Sequence, residues 1–284
     1  MTSTDNGWRP AVARIRPEPA TIVRRAGWLM LSVGVLLAGF FVYELFITSF
    51  FAGRAQAGLT DDLNQRIITA ELETVAYEAG QLELMAIPLG MPDDVPLPGP
   101  AAIAAALESS EGYTLVQESV AAGEAETVAA APAGSLVSEP VAAGGAAMGR
   151  IEIASIGLDW TVVEGVGKAD LRKGAGHMPD TAMPGQPGNA VISGHRTTYG
   201  APFGDLGKTH KGDLITVTTA TGSHVYQIVE KRVVEPNETW VTGQWEGSWL
   251  TLTTCHPKFS SRQRLIVFAR LVAGPNAATL AGGA

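Results

Sequence analysis

The chain has 284 residues and a single cysteine, which excludes an internal disulfide and any metal site built from several cysteines. A formal net charge of −8 at pH 7 argues against a nucleic acid as partner, and none is expected. The 33 glycines and 17 prolines indicate long stretches without regular structure.

The first predicted element is a membrane anchor over residues 26–50, preceded by a cytoplasmic tail over residues 1–25. Residues 26–43 carry no charge, and about 20 apolar residues suffice to cross a bilayer as a helix. Arginines dominate the preceding flank and acidic residues follow, so the N-terminus is expected inside and the rest outside the cell. The flanking charges are Arg9, Arg14, Arg16, Arg24 and Arg25 before the run, and Asp61, Asp62, Glu71 and Glu73 after it.

A cleaved signal peptide is the alternative interpretation of this segment. Arg24 and Arg25 resemble a twin-arginine start, and residues 55–57 fit a small-x-small cleavage site. The apolar region is longer than the roughly 7–15 residues of a signal peptide, which favours the anchor. The predicted localisation is therefore the cell membrane, with one span and an extracellular head.

Residues 51–148 are predicted to form an extracellular stalk and flexible linker of low complexity. A helix is expected from Thr60 to Ala79, with Thr60 as its cap and apolar residues at helical spacing. A solvated stalk helix is preferred over a coiled coil. Prolines cluster between Pro88 and Pro100, and residues 101–147 are rich in Ala, Gly, Glu and Ser, with one short helix over 101–108. Such a composition buries little apolar surface and behaves as a linker.

From residue 149 the sequence changes from a low-complexity linker to a pattern that predicts a folded head over residues 149–273. Short runs of alternating or β-branched residues are separated by glycine and proline turns, which is typical of an all-β barrel or sandwich. Only short helical pieces fit between them, around residues 168–173 and 203–206. Residues 274–284 are predicted to be a disordered tail. The expected strands lie near residues 151–153, 160–164, 190–193, 214–219, 225–234, 249–255 and 264–271.

The last two predicted strands carry the candidate chemistry. Side chains alternate between two faces of a strand, so Leu250 and Leu252 share one face and Cys255 lies on the other, with two threonines. If the strands pair as a hairpin, residues 256–263 form the loop. Arg264 then becomes the lateral neighbour of Cys255. The pattern predicts a thiol beside a guanidinium, although a free cysteine is more often an ordinary buried residue.

A reactive thiol needs a partner that moves protons near neutral pH, and histidine is suited to this. His256 follows the cysteine and points to the opposite face of an extended chain. His210 and His224 lie in turn-like contexts that suggest solvation. His195 follows a strand and a glycine, where a side chain projects over a sheet edge, so it ranks first and His177 second. A metal site of the cysteine with histidines is a further alternative.

Several motifs in this order resemble the sortase family, most closely its class E members in actinobacteria. Residues 251–255, TLTTC, match the sortase signature Thr-Leu-x-Thr-Cys. Arg264 stands where sortases place an arginine, and residues 189–199, NAVISGHRTTY, look like the sortase histidine strand and its loop. The continuations at 200–203 and 255–259 carry the class E similarity. The resemblance implies a closed eight-stranded sortase-type β-barrel with short helices.

The same resemblance implies a membrane-anchored cysteine transpeptidase. It would cleave a sorting signal of the LPxTG or LAxTG type between Thr and Gly through a thioester, then transfer the protein to a peptidoglycan-precursor or pilin amine. No cofactor or metal is expected. The implied catalytic residues are His195, Cys255 and Arg264. The residues expected to contact the substrate are His177, Tyr199, Thr253 and Thr254.

Two other classes of protein compete with this interpretation. One is a cysteine enzyme of another family, which a His-Gly-Cys type of motif would favour; here Cys255 follows threonines. The other is a membrane-tethered adhesive barrel without catalysis, which loss of the cysteine, histidine or arginine would have favoured. Within the sortase interpretation, Arg262 is the rival of Arg264, but it is expected in the loop.

Overall fold

The computed structural model describes residues 19–78, 91, 96–108 and 134–281. The chain divides after Tyr43 into two compact units. Three predictions fall outside the described residues in whole or part: the first 18 residues of the cytoplasmic tail, much of the linker between residues 79 and 133, and the last three residues.

The first unit contains helix α1, Pro19–Val42. Residues 23–42 of this helix are long and apolar enough to cross a membrane, and none of that stretch is buried. A 20-residue helix is about 30 Å long, which matches the hydrocarbon core of a bilayer. Of the helices in the described ranges, this is the one that meets those criteria. The predicted apolar helix is present, and its orientation stays a prediction.

The second unit is built on a closed barrel of eight strands, which confirms the predicted fold class. Strands β1, Glu73–Ala76, and β2, Ser135–Ser138, pair with each other outside the barrel. The barrel strands are β3 Ala147–Ile153, β4 Leu158–Glu164, β5 Ala175–His177, β6 Gly188–Ser193, β7 Leu214–Thr219, β8 Gly222–Val234, β9 Ser248–His256 and β10 Gln263–Ala273.

Around the barrel the order is β10-β8-β7-β3-β4-β5-β6-β9, and β9 pairs with β10 to close it. The pairs β4–β5 and β6–β9 are parallel, and the others are antiparallel. Alternate side chains fill the interior, as the strand period requires. Leu250 and Leu252 of β9 and Leu265 and Val267 of β10 all belong to this core, so the predicted apolar face of the hairpin is confirmed.

The helices of the second unit differ from the prediction for the stalk. After a π-helical turn at Tyr43–Ile47, helix α2 runs over Thr48–Thr69. The predicted helix at 60–79 is therefore wrong in both limits, because Ala70 is extended and the following residues enter β1 to pair with β2. Helix α3, Pro100–Glu108, matches the predicted short helix. Helices α4, Lys168–Leu171, and α5, Ala277–Ala281, complete the set.

Helix α2 packs on the barrel. Leu59 and Leu63 are buried with Val163 of β4 in a small apolar cluster. The Gln56 side chain bonds to both the N–H and the C=O of Thr161 in β4. A carboxylate oxygen of Asp62 accepts from the N–H at the start of β3, 2.9 Å away. These contacts differ from a solvated stalk, because the apolar stripe of the helix is covered by strands rather than by water.

The segment after the barrel is also anchored. Asn276 is fully buried, donates from its amide to the carbonyls of Val137 and Gly185, and accepts from the Val137 N–H. One side chain thus joins the C-terminal segment to β2 and to the loop before β6. This order differs from the disordered tail predicted to begin at residue 274, because a fully bonded buried amide fixes the chain there.

Candidate functional site

The candidate nucleophile, Cys255, lies near the end of β9, which runs between β6 and β10 in the barrel. In the antiparallel β9–β10 pair Cys255 stands directly opposite Arg264. The predicted hairpin neighbours are therefore confirmed, and the loop shortens to residues 257–262 because β9 extends to His256 and β10 begins at Gln263. Cys255 is half-buried and is a free thiol. Its side chain shares the outer face of the barrel with the arginine, since Leu252 and Leu265 take the inner face.

His195 approaches the same cysteine from the other side. The parallel pair β6–β9 sets Ser193 opposite Thr253. Continuing that register by two residues brings His195 level with Cys255. Two further bonds extend the pairing: the Gly194 N–H donates to the Thr253 carbonyl at 3.1 Å, and the Thr254 hydroxyl donates to the Gly194 carbonyl at 2.7 Å. Neighbouring strands lie about 4.8 Å apart, so one thiol is flanked by an imidazole and a guanidinium position.

The segment from Gly194 to Ala201, here called the histidine loop, has an unusual backbone. Tyr199, Gly200 and Ala201 have φ of 52°, 77° and 48°, a left-handed conformation that costs energy for residues with a side chain. Gly200 is required, since a Cβ there would lie 2.4 Å from the Trp160 ring. A loop with this strain keeps its conformation only where its surroundings hold it.

The environment of His195 favours a neutral imidazole. Its ring lies against Tyr199, with centroids 5.0 Å apart, and the Arg172 guanidinium stands 5.7 Å from the centroid of the same tyrosine ring. Burial, and then the positive charge of Arg172, lower the pKa of His195 below its ordinary value of 6.5. At neutral pH the ring can therefore accept a proton from a neighbouring thiol.

Arg264 directs part of its guanidinium to the hairpin loop. Its Nη1 donates to the carbonyls of Ser261 and Gln263, at 2.9 and 3.0 Å. Among the described residues no protein acceptor takes its other N–H groups, which stay available to a ligand at the outer face. The rival Arg262 lies in the exposed loop, as expected, outside the strand pair that positions Cys255.

A second arginine, Arg196, was missed by the sequence reasoning. Its Nη1 donates to the Cys255 carbonyl at 3.2 Å and contacts His256 Nδ1 at 3.0 Å. Because a guanidinium only donates, that ring nitrogen must be unprotonated. Burial lowers the pKa of Arg196, while the charges of Asp205 and Cys255 oppose that shift. In the sequence, the only sign of a role for Arg196 was its position directly after His195. That position does not indicate that its guanidinium contacts the Cys255 carbonyl and His256.

Two residues expected to contact the substrate are in the interior, which corrects the prediction. His177 is 1% exposed; its Nδ1 lies 2.8 Å from a Glu164 carboxylate oxygen and its Nε2 lies 2.9 Å from the Ala182 carbonyl. Thr254 is 3% exposed, and its hydroxyl donates to the Gly194 carbonyl of the histidine loop. Both side chains point inward at their strand positions. Thr253 and Tyr199 are half-buried beside the site, and their contact with a substrate stays a prediction.

A surface cavity of about 420 Å³ adjoins the site. It lies between the histidine loop and the β9–β10 loop, and its floor includes Trp160 and Arg196. Lys258 and the 78%-exposed Phe259 form its rim. Within the part of the chain that the structure describes, no group of three or more His, Cys, Asp or Glu side chains could hold a metal ion.

A cysteine, an arginine and a histidine thus lie at the ends of neighbouring strands of one closed eight-stranded barrel. The class of site is one with a cysteine thiol at its centre. Residues 151–272 match the sortase domain family, so this part of the chain is a sortase domain.

Among curated relatives, sortase D of Bacillus subtilis is 37% identical over 133 residues, covering 45% of this chain and 65% of that protein. Sortase SrtE1 of Streptomyces coelicolor is 35% identical over 102 residues, covering 32% of this chain and 29% of that protein. The chain thus spans less than two thirds of the length of these relatives.

Among solved structures, sortase E from Streptomyces avermitilis shares 36% identity with a TM-score of 0.43, covering 46% of this chain and 91% of that one. The Sortase D5 transpeptidase of Clostridium perfringens shares 33% identity with a TM-score of 0.44, covering 47% of this chain and 83% of that one.

Proposed function

We propose that this protein is a membrane-anchored cysteine transpeptidase that cleaves a sorting signal between Thr and Gly and transfers the acyl part, which ends in that Thr, to an amine. The observation that carries the proposal is the strand register: Arg264 pairs with Cys255 across β9–β10, and the β6–β9 register, continued two residues beyond Ser193, brings His195 level with the same cysteine. Membership of the sortase family supports the same chemistry.

In the first half-reaction, the Cys255 sulfur attacks the threonine carbonyl carbon. Neutral His195 takes the thiol proton, and the carbonyl oxygen becomes an oxyanion. The free N–H groups of Arg264 donate to that oxygen. When the C–N bond breaks, His195 returns the proton to the departing glycine amine, and the acyl group remains on sulfur as a thioester. One well-placed oxyanion donor lowers the barrier by about 3 kcal/mol.

In the second half-reaction an amine attacks the thioester carbon. His195 accepts the amine proton, a new C–N bond forms, and the Cys255 thiolate leaves and is reprotonated. The acceptor would be the amine of a peptidoglycan precursor or of a pilin. The lowered pKa of His195 suits both proton transfers, because the ring must begin each half-reaction as a base.

The donor would be a surface protein bearing an LPxTG or LAxTG signal. A sortase C from Clostridium perfringens has been solved with the C-terminal cell wall sorting motif, which supports a peptide of this class. On this chain the half-buried Thr253 and Tyr199 flank the thiol and are proposed to contact it. The apolar helix α1 supports a single-pass anchor with the N-terminus cytoplasmic and the barrel outside.

A mass-spectrometric trap of the acyl-enzyme tests the proposal. The full chain in detergent is incubated with LPxTG and LAxTG peptides, with and without an amine. A thioester adduct on Cys255 is expected, and it should disappear in Cys255→Ala and fall strongly in His195→Ala. Arg264→Ala should slow acylation by about a hundredfold. Arg264→Lys should rescue only partly, because an ammonium lacks the planar fork of donors.

Arg262→Ala is the matched control, since it removes an exposed arginine of the hairpin loop, outside the β9–β10 strand pair. It should acylate at the wild-type rate. An acyl-enzyme that survives Arg264→Ala but is lost in Arg262→Ala would reverse the assignment of the arginine. No adduct with any peptide or amine would remove the proposed activity.

A further inference from the structure

The first turn of α2 touches the histidine loop. The Tyr199 N–H donates to the Thr48 hydroxyl at 3.4 Å, and the Gly200 N–H donates to the Ser49 hydroxyl at 3.3 Å. These amides belong to the left-handed stretch of the loop, where the backbone makes no ladder to a neighbouring strand. Two hydroxyls of α2 therefore supply acceptors at the most strained point of the loop that carries His195.

The opposite side of the same turn is aromatic and exposed. Phe46, Phe50 and Phe51 are 69%, 67% and 63% exposed. At 100° per residue, Phe50 lies about 160° from both Thr48 and the buried Ala52, which face the barrel. Phe51 lies at the side of the helix, about 60–100° from them. Phe46 precedes α2 in the π-helical turn.

Farther along the helix the exposed side is mostly polar, beginning at Arg54, although Ile68 near the end of α2 is 54% exposed. The exposed aromatic residues are confined to the first turn of α2 and the π-helical turn before it.

The short chain distance from α1 indicates what covers these rings. The apolar run of α1 ends at Val42, and only the five residues Tyr43–Ile47 separate it from α2. Large aromatic side chains followed by an arginine are the arrangement that proteins place at a membrane–water interface. A patch of this kind in water would be a liability.

We propose that the start of α2 lies in the headgroup and upper acyl region of a bilayer, and that this lipid contact seats Thr48 and Ser49 against the histidine loop. The two hydroxyl residues are positioning residues: they act on His195 through the backbone of the loop. The inference rests on the proposed membrane anchoring, and it makes the active site dependent on the lipid surface.

Depth-dependent quenching tests the lipid contact. The full chain with Cys255→Ser receives one new thiol, labelled with NBD, and is reconstituted in phosphatidylglycerol/phosphatidylcholine vesicles. One set of vesicles contains lipids spin-labelled near the headgroup, and a second set contains lipids spin-labelled deep in the acyl chain. Phe50→Cys is the test position, Leu36→Cys the control within α1, and Gln65→Cys the solvent control on α2. Strong quenching at position 50 by the headgroup label and at position 36 by the acyl-chain label, with none at 65 by either, is expected.

The other outcomes separate the two proposals. Quenching at position 36 without quenching at position 50 would overturn the proposed lipid contact at the start of α2 and leave the proposed anchor intact. No quenching at 36 would refute the anchor itself. Energy transfer between labelled copies at position 50, without lipid quenching, would mean that a second copy covers the rings, which also overturns the lipid assignment.

A conservative pair of variants tests the positioning role in the same vesicles. Thr48→Val is nearly isosteric but has no acceptor, whereas Thr48→Ser keeps the hydroxyl. Thr48→Val should lower the acylation rate constant on the order of tenfold with KM unchanged, because a shifted base loses alignment more than affinity. Thr48→Ser should restore most of the rate. Equal rates for wild type and Thr48→Val, or a loss confined to KM, would refute the positioning role.

Discussion

Replacing Gln56 with alanine should undock α2 from the barrel. The Gln56 amide donates to the Thr161 carbonyl at 3.0 Å and to the Lys173 carbonyl at 2.9 Å, and it accepts from the Thr161 N–H at 2.8 Å. The side chain thus takes the place of a neighbouring strand for Thr161, which is 3% exposed. Gly174 leaves room for it, since a Cβ there would lie 2.4 Å from the Gln56 nitrogen.

The magnitude follows from these three bonds. Each contributes about 1 kcal/mol net, so Gln56→Ala should lower the free energy of unfolding by about 3 kcal/mol. For a folded unit of this size, that corresponds to a fall in Tm of about 6–12 °C. The assay is thermal unfolding of the full chain in detergent, followed by near-ultraviolet circular dichroism, which reports on the tryptophans around the barrel.

Gln65→Ala is the matched control, because it removes an exposed glutamine from the same helix. Its Tm should stay within roughly 2 °C of the wild type, the range of ordinary surface substitutions. If Gln56→Ala and Gln65→Ala unfold at the same temperature, α2 is not held to the barrel by this side chain. The docking of α2 on the barrel would then depend on its apolar contacts rather than on these three hydrogen bonds.

Three further predictions concern charge. Removing the cation in Arg172→Ala should raise the pKa of His195, so the acidic limb of the pH–rate profile for acylation should move to higher pH, whereas Arg172→Lys should leave it in place. Burial lowers the pKa of His224 from 6.5 to about 4, so between these pH values the unfolded chain binds a proton that the folded chain does not. The free energy of unfolding should therefore be highest above pH 6.5 and should fall by about 3 kcal/mol by pH 4, as followed by thermal melts. His224→Gln should flatten that dependence. Arg196→Ala should slow acylation about tenfold in the peptide assay, because it frees the Cys255 carbonyl, and an unchanged rate would show that this bond does not position the thiol.

Local rules were enough to predict the arrangement of the hairpin. Side chains alternate along a strand with a period of two, and a short loop joins two strands in an antiparallel pair, so Cys255 and Arg264 had to become neighbours once both strands formed. The same alternation predicted the inner apolar face and seven of the eight barrel strands, but not the short strand β5 or the strand limits. The closed eight-stranded barrel was implied by the motifs shared with sortases. The apolar helix needed only its length and composition.

Contacts between distant segments could not be inferred this way. The parallel register of β6 and β9 aligns His195 with the cysteine, and it depends on how the whole barrel closes. The sequence suggested that His177 contacts the substrate, but its side chain faces inward and pairs with Glu164 on another strand. That partner is a neighbour in space and could not be read from the residues around His177. The docking of α2 depends on Gln56 meeting a strand more than 100 residues away. Composition predicts whether a segment can bury apolar surface, but only the tertiary structure decides which surface covers it, because hydrogen bonds and packing are satisfied by neighbours in space rather than along the chain.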